Sequence, residues 1–199
     1  AGWGILACMT PIERVVAWLE DARRAEPDRE PEAMALATVG ADGAPSVRYV
    51  LCRGVDARGL RFFTNYESRK ASELAANARA AAVFYWHPLG RQLRVEGTVE
   101  RLPATESDAY FAGRPRGHQL SALASPQSRA IADLEELRGR ASEADRQYAD
   151  RDVPRPAYWG GYRLVPTTIE LWQRGADRMH DRIRFDLRAG QWRETRLAP

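Results

Sequence analysis

The stretch AAAVFYWHPLGRQLRVEGTVERL, residues 80–102, decides the fold. Two runs rich in Val, aromatic and other apolar residues flank the turn HPLG. The second run alternates apolar Leu93 and Val95 with polar Gln92, Arg94 and Glu96. A period of two on both sides of a tight turn predicts an antiparallel hairpin. Working upstream, MALATVG (34–40), SVRYVLCRGVD (46–56) and LRFFTN (60–65) read the same way, separated by GADGAP and DARG. Downstream, strands return in GYRLVPTTIELWQ (161–173), RMHDRIRFDL (178–187) and QWRETRLAP (191–199). Strands joined through short turns argue for an antiparallel sheet or barrel, not a parallel dinucleotide-binding sheet. No G-x-G-x-x-G, P-loop or G-x-S-x-G sequence occurs.

Helices flank these strands. TPIERVVAWLEDARRA (10–25) carries a capping box in Thr10 and Glu13 and Pro11 at the first helical position. Ile12, Val15, Val16 and Leu19 form its apolar stripe, and the polar EPDREPE that follows breaks it. RKASELAANA (69–78) is a short helix, and residues 104–150 are mostly helical. The expected architecture is mostly β with flanking helices (α+β) in one 199-residue domain. Its parts are an N-terminal helix at about 10–25, a barrel at about 34–102, a helical segment at about 104–150 and C-terminal strands at about 162–199.

The composition, 44% hydrophobic and 29% charged, is that of a globular chain. Its 30 basic and 27 acidic residues give a net charge of +3 with no basic block, which speaks against nucleic acid and for a small anion held by local cations. Two cysteines and three histidines offer no metal spacing. No apolar run approaches the roughly 18 residues of a membrane span. The opening AGWGILACM lacks the basic start of a signal peptide, so the expected location is cytoplasmic.

Three places raise a chemical question. In FFTNYESRKASE (62–73), Ser68 is a plausible N-cap, which leaves Arg69 and Lys70 in a first helical turn where the dipole favours acids. They are either solvated surface or the side-chain half of a phosphate site at the helix N-terminus. In RMHDR (178–182), a strand would put Arg178, His180 and Arg182 on one face about 7 Å apart, with Met179, Ile183 and Phe185 opposite. That row is either a wet strand face or a platform for a flat anionic ligand. In YFAGRPRGHQ (110–119), Tyr110, Arg114 and His118 recur every four residues, but Gly113, Pro115 and Gly117 make a continuous helix doubtful. Gln92 and the pair Gln127–Ser128 are weaker signals.

Taken together and in order, RYVLCR, FFTNYESRK, GRQLRVEG, YFAGRPRG, SPQS, WGGYR, IELWQRG, RMHDRIRF and the final RLAP resemble the pyridoxine/pyridoxamine 5′-phosphate oxidase family over about residues 10–199. The resemblance implies an FMN-binding split β-barrel working as a homodimer, with the flavin at the subunit interface. It implies oxidation of a phosphorylated B6 vitamer to pyridoxal 5′-phosphate, with molecular oxygen as acceptor and hydrogen peroxide as product. For FMN it implies Arg48, Tyr49, Val50, Leu51, Phe63, Thr64, Arg69, Lys70, Gln92, Gln127, Ser128, Trp172 and Arg182, some of them from the partner subunit. Around the substrate phosphate it implies Arg53, Tyr110, Arg114 and His118, with Arg178 and His180 as the catalytic pair against the pyridine ring. No metal, nucleic acid or membrane is implied.

The chain departs from the family pattern at three positions. Arg53 stands where Lys is usual, His118 where Ser is usual and Phe63 where Tyr is usual. These departures bear on the substrate more than on the flavin. Two other readings stay open: an FMN oxidase of the phenazine-pathway type acting on another aromatic, and a flavin- or haem-binding split barrel without oxidase activity.

Overall fold

The computed structural model describes residues 8–25 and 29–199. The opening AGWGILA and residues 26–28 of the polar break lie outside the described residues. The first helix, α1 (Pro11–Ala25), starts as its residues dictate. Glu13 Oε2 accepts the Thr10 N–H at 2.7 Å, and Thr10 Oγ1 accepts the Glu13 N–H at 3.3 Å. Its stripe buries Val15, Trp18, Leu19 and Ala22.

The strands are β1 (Ala33–Val39), β2 (Pro45–Leu51), β3 (Val55–Asp56), β4 (Gly59–Asn65), β5 (Arg79–Trp86), β6 (Arg91–Arg101), β7 (Trp159–Gln173), β8 (Asp181–Arg188) and β9 (Gln191–Leu197). They form one nine-stranded sheet in the order β2-β1-β5-β6-β7-β4-β3, with β8 on β7 and β9 on β8, every pairing antiparallel. The hairpin of β5 and β6 is as expected, with Trp86 opposite Arg91.

The barrel does not close within residues 34–102, however. The 15-residue β7 runs along β6 on one edge and lies against β4 and then β8 on the other. A late strand therefore joins β6 to β4. At Glu96/Gly97 the β6–β7 register shifts. A Cβ on Gly97 would fall 1.9 Å from the Val165 carbonyl oxygen, so only glycine permits this approach.

Two strand expectations need correction. SVRYVLCRGVD is not one strand: the ladder breaks after Leu51, and Gly54, at φ 151°, turns the chain into β3. RMHDRIRFDL begins its strand only at Asp181. Residues 176–178 form a 3₁₀ turn with Asp177 and Arg178 in the left-handed region, at φ 49° and 62°. A Cβ on Gly175 would lie 1.9 Å from the Met179 carbonyl oxygen, so the chain folds back on itself there instead of extending. Arg178, His180 and Arg182 thus do not share one strand face, and Met179 is exposed while Ile183 and Phe185 are buried.

The remaining helices are α2 (Arg69–Ala76), α3 (Ala104–Ala112), α4 (Arg116–Ala124) and α5 (Leu134–Gln147). The break between α3 and α4 falls where Gly113 and Pro115 predicted it. Asp133 caps α5, accepting the Glu136 N–H at 2.9 Å. The main core joins α1 and α2 to the sheet interior around Phe62, Phe84, Leu93 and Ile169. A second cluster, built on Phe111, Leu120 and Trp159, fixes α3 and α4 beside β4 and the start of β7. Among the described residues no helix is long and apolar enough to cross a membrane.

Candidate functional site

Between β2, the end of β4, α2 and the α3–α4 corner lies a cavity of about 960 Å³. It collects Arg48, Tyr49, Val50 and Leu51 from β2, Arg53 just beyond it, and Phe63 and Thr64 from β4. Arg69 and Lys70 enter from the first turn of α2, Tyr110, Arg114 and His118 from the α3–α4 corner, and Gln127 and Ser128 from the loop after α4. Residues far apart in sequence meet because β4 ends where α2 begins and the second cluster presses the corner against them.

Two basic corners share this cavity. In the first, Ser68 is extended (φ −72°, ψ 158°) at the start of α2 but does not cap it with its side chain. Its hydroxyl donates to the Asn65 carbonyl oxygen at 2.7 Å and accepts from Lys70 Nζ at 3.2 Å. Lys70 also reaches Thr64 Oγ1 at 3.0 Å and Gln127 Oε1 at 2.9 Å. Burial pushes its ammonium down from 10.5 to about 8, the Arg48 charge adding and Glu73 opposing. Arg69 donates through Nε to Glu73 at 2.8 Å. Arg48 is held by Glu73 at 3.0 Å, by the Leu36 carbonyl at 3.2 Å and by the Thr38 and Ser46 hydroxyls.

The second corner is Arg53, Arg114 and His118 with Tyr110. Arg114 lies 4.6 Å over the Trp159 ring, and its Nη1 is buried without a hydrogen-bond partner. Burial lowers its guanidinium from its ordinary value, Tyr110 opposing and Arg53 adding. Such an orphaned donor beside two further basic residues is suited to an anion. The two corners share one cavity but are built from different residues: Arg48, Arg69 and Lys70 around α2, and Arg53, Arg114 and His118 around the α3–α4 corner. Phe63 stacks on Tyr110 with centroids 3.7 Å apart and 8° between planes.

Gln92, Trp172, Arg178, His180 and Arg182 do not line this cavity. Four of them form a patch of their own across three strands. Gln92 pairs with Trp172, Trp172 pairs with Arg182, and the His180 ring lies 4.6 Å from Trp172. Arg182 donates to Glu170 at 2.9 Å and to the Ala198 carbonyl at 2.9 Å. His180 Nδ1 accepts the Gly175 N–H at 3.3 Å, which puts the neutral ring's proton on Nε2. Arg178 projects from the turn beside them and is exposed. The candidate residues therefore fall into two patches on one subunit.

Ser46 and Trp159 also line the cavity, and Glu73 bonds Arg48 and Arg69 beside it, although none of the three stands out in the sequence. Glu73 was within reach, since an acid four residues after Arg69 in a helix forms an i,i+4 pair. Trp159 gave no periodic signal.

Among known proteins, the pyridoxamine 5′-phosphate oxidase pattern matches residues 19–148, and the pyridoxine 5′-phosphate oxidase C-terminal dimerisation region matches residues 159–199. The chain is 52% identical over 192 residues to the pyridoxine/pyridoxamine 5′-phosphate oxidase of Salinibacter ruber, covering 95% of this chain and 89% of that one. It is 50% identical over 193 residues to the protein of the same name from Thermosynechococcus vestitus, covering 97% and 90%. Among solved structures, PhzG from Burkholderia lata in complex with tetrahydrophenazine-1-carboxylic acid superposes with a TM-score of 0.91 at 35% identity, covering 97% of this chain and 94% of that one.

Proposed function

The chain belongs to the pyridoxamine 5′-phosphate oxidase family, and on that premise we propose that it is an FMN-dependent oxidase converting pyridoxine 5′-phosphate or pyridoxamine 5′-phosphate to pyridoxal 5′-phosphate. The observation that carries this reading is the pair of distinct basic corners in one cavity. A phosphorylated flavin and a phosphorylated substrate need one each.

The donor set fits FMN. Arg48, Arg69 and Lys70 take its phosphate at the α2 N-terminus, with Thr64, Gln127 and Ser128 beside them. Tyr49, Val50, Leu51 and Phe63 also line the cavity. When bound, FMN supplies the two-electron chemistry of the reaction. Arg53, Tyr110, Arg114 and His118 hold the substrate phosphate, and the orphaned Arg114 Nη1 gains its partner there. Molecular oxygen is the final electron acceptor and hydrogen peroxide the second product. The amine substrate additionally takes up water and releases ammonia.

The remote patch enters through a homodimer. A two-fold axis brings Gln92, Trp172 and Arg182 of one subunit to the flavin of its partner, and Arg178 and His180 to the pyridine ring. His180 Nε2–H is free to bond a ring substituent, and Arg178 covers the ring face. Val47 and Tyr49, which line the same cavity, are 66% and 77% exposed and leave an apolar β2 surface for the flavin or a second subunit to cover. A cytoplasmic location belongs to the same reading.

The phenazine-type alternative rests on the close fold likeness to PhzG. Higher identity to the vitamer oxidases and the second basic corner favour the phosphorylated vitamer. The test is an aerobic assay with FMN-loaded protein and, in parallel, pyridoxine 5′-phosphate and pyridoxamine 5′-phosphate, following pyridoxal 5′-phosphate and peroxide. Equal yields of the two support the proposal, and no turnover of either phosphorylated vitamer would overturn it.

A further inference from the structure

Glu73 is an unexpected residue at a phosphate corner. Its side chain is only 8% exposed, one helical turn from Arg69, and a buried carboxylate there repels the anion that the corner is built to hold. It is nevertheless the most heavily bonded group of the corner. Its oxygens accept from Thr38 Oγ1 at 2.6 Å, Ser46 Oγ at 2.7 and 2.8 Å, Arg69 Nε at 2.8 Å and Arg48 Nη2 at 3.0 Å. Burial alone would raise its carboxyl, but those hydrogen bonds outweigh it and bring the value to about 2, so Glu73 is ionised throughout the working range.

We propose that Glu73 is a positioning residue for the flavin phosphate, fixing the Arg48 guanidinium against β1 and β2 and aiming the Arg69 fork. This rests on the reading that the α2 corner binds the phosphate of FMN. The geometry of the two arginines carries the inference. Arg69 spends Nε on Glu73, and its two terminal nitrogens bond nothing among the described residues, which leaves a planar two-pronged donor for an anion. Arg48, 20% exposed, has its rotamer fixed by the same carboxylate together with Thr38, Ser46 and the Leu36 carbonyl. Lys70 bonds Thr64, Ser68 and Gln127 rather than Glu73, so loss of Glu73 releases two of the three cations. Because the Glu73 charge also favours the Lys70 ammonium, affinities are compared at about pH 6.5, where Lys70 stays protonated. The Coulomb penalty of a nearby negative charge is offset by arginines already ordered before the ligand arrives.

Charge and position pull in opposite directions, which makes the test a matter of sign. Glu73→Gln keeps the shape and removes the charge. Flavin fluorescence quenching gives the affinities of apo wild type and variant for FMN and for riboflavin, and thermal unfolding reports the fold. The proposal predicts FMN binding weakened by about tenfold or more, the scale of one charge-assisted contact, with riboflavin within about twofold of wild type. Tightened or unchanged FMN binding would overturn it, because removal of a repelling charge alone does that. Equal weakening of both ligands would also overturn it and leave Glu73 as a staple between α2 and β1. Should Glu73→Gln fail to fold, Glu73→Asp retains the charge but not the reach. Selective FMN loss there supports positioning, and wild-type behaviour refutes it. A wild-type protein binding FMN and riboflavin equally well would instead remove the phosphate assignment on which the inference stands.

Discussion

Raising the pH from 7 to 9 should weaken FMN binding through one residue, Lys70. Its ammonium is buried and its three hydrogen-bond partners, on Thr64, Ser68 and Gln127, are neutral oxygens. Burial first, then the Arg48 charge, lowers it to about 8, with Glu73 opposing. A bound phosphate favours the charged form and returns the value toward the ordinary 10.5. The free protein therefore loses a proton at about 8 that the complex keeps. Affinity is constant below that value and falls by up to about tenfold per pH unit above it, about 1.4 kcal/mol by pH 9. The second ionisation of the FMN phosphate, near pH 6, lies below this window. Fluorescence titrations at pH 7, 8 and 9 measure the effect. Riboflavin and the Lys70→Arg variant are the controls, since neither carries the linkage. A flat FMN affinity between pH 7 and 9, or the same slope in Lys70→Arg, would refute the reasoning. The sign for stability is opposite. The folded value lies below the unfolded one, so the unfolded chain holds more protons between about 8 and 10.5, and the apoprotein gains stability as pH rises through that range.

Three further outcomes are expected. Arg69→Ala should cost FMN about 1.5–3 kcal/mol and riboflavin almost nothing, because the contact addresses the phosphate; equal losses in parallel titrations would move Arg69 out of the site. Arg178→Ala and His180→Ala should leave the protein folded and yellow but slow flavin reduction by substrate in anaerobic stopped flow; loss of flavin at an unchanged rate per remaining flavin would place both against the cofactor instead. Co-expression of Lys70→Met and Trp172→Ala chains under two tags should yield heterodimers with about half the wild-type FMN content, more than either variant homodimer, since one of the two shared sites is then intact; heterodimers no better than the homodimers would contradict a site built from two subunits.

Much of the fold could be read from alternation and turn chemistry. The Leu93–Val95 strand, the Thr10–Glu13 capping box and the Gly113–Pro115 break all report local preferences, and the chain obeys them. The insertion of β7 between β6 and β4 is a long-range pairing with no local signal, so the apparent barrel of residues 34–102 was incomplete. The segment at Arg178 misled for a different reason. Its residue pattern suits a strand, but the close approach of Gly175 to Met179 turns the chain first.

The candidate site was legible where charge conflicts with helix polarity, as at Arg69 and Lys70, both of which line the cavity. It was illegible where only tertiary structure brings a group near, as with Trp159 under Arg114. Gln92, Trp172 and Arg182 carried no common signal in sequence, yet the β6–β7–β8 register sets them side by side.

The most direct test of the account is anaerobic titration of the purified, FMN-loaded protein, followed by its absorbance spectrum. Pyridoxine 5′-phosphate should bleach the oxidised flavin bands at one equivalent per site, and air should restore them. Unphosphorylated pyridoxine at the same concentration should leave the bands almost unchanged, because Arg53, Arg114 and His118 then have no anion to hold. Bands that stay oxidised with the phosphorylated vitamer, or that bleach equally with both, would contradict it.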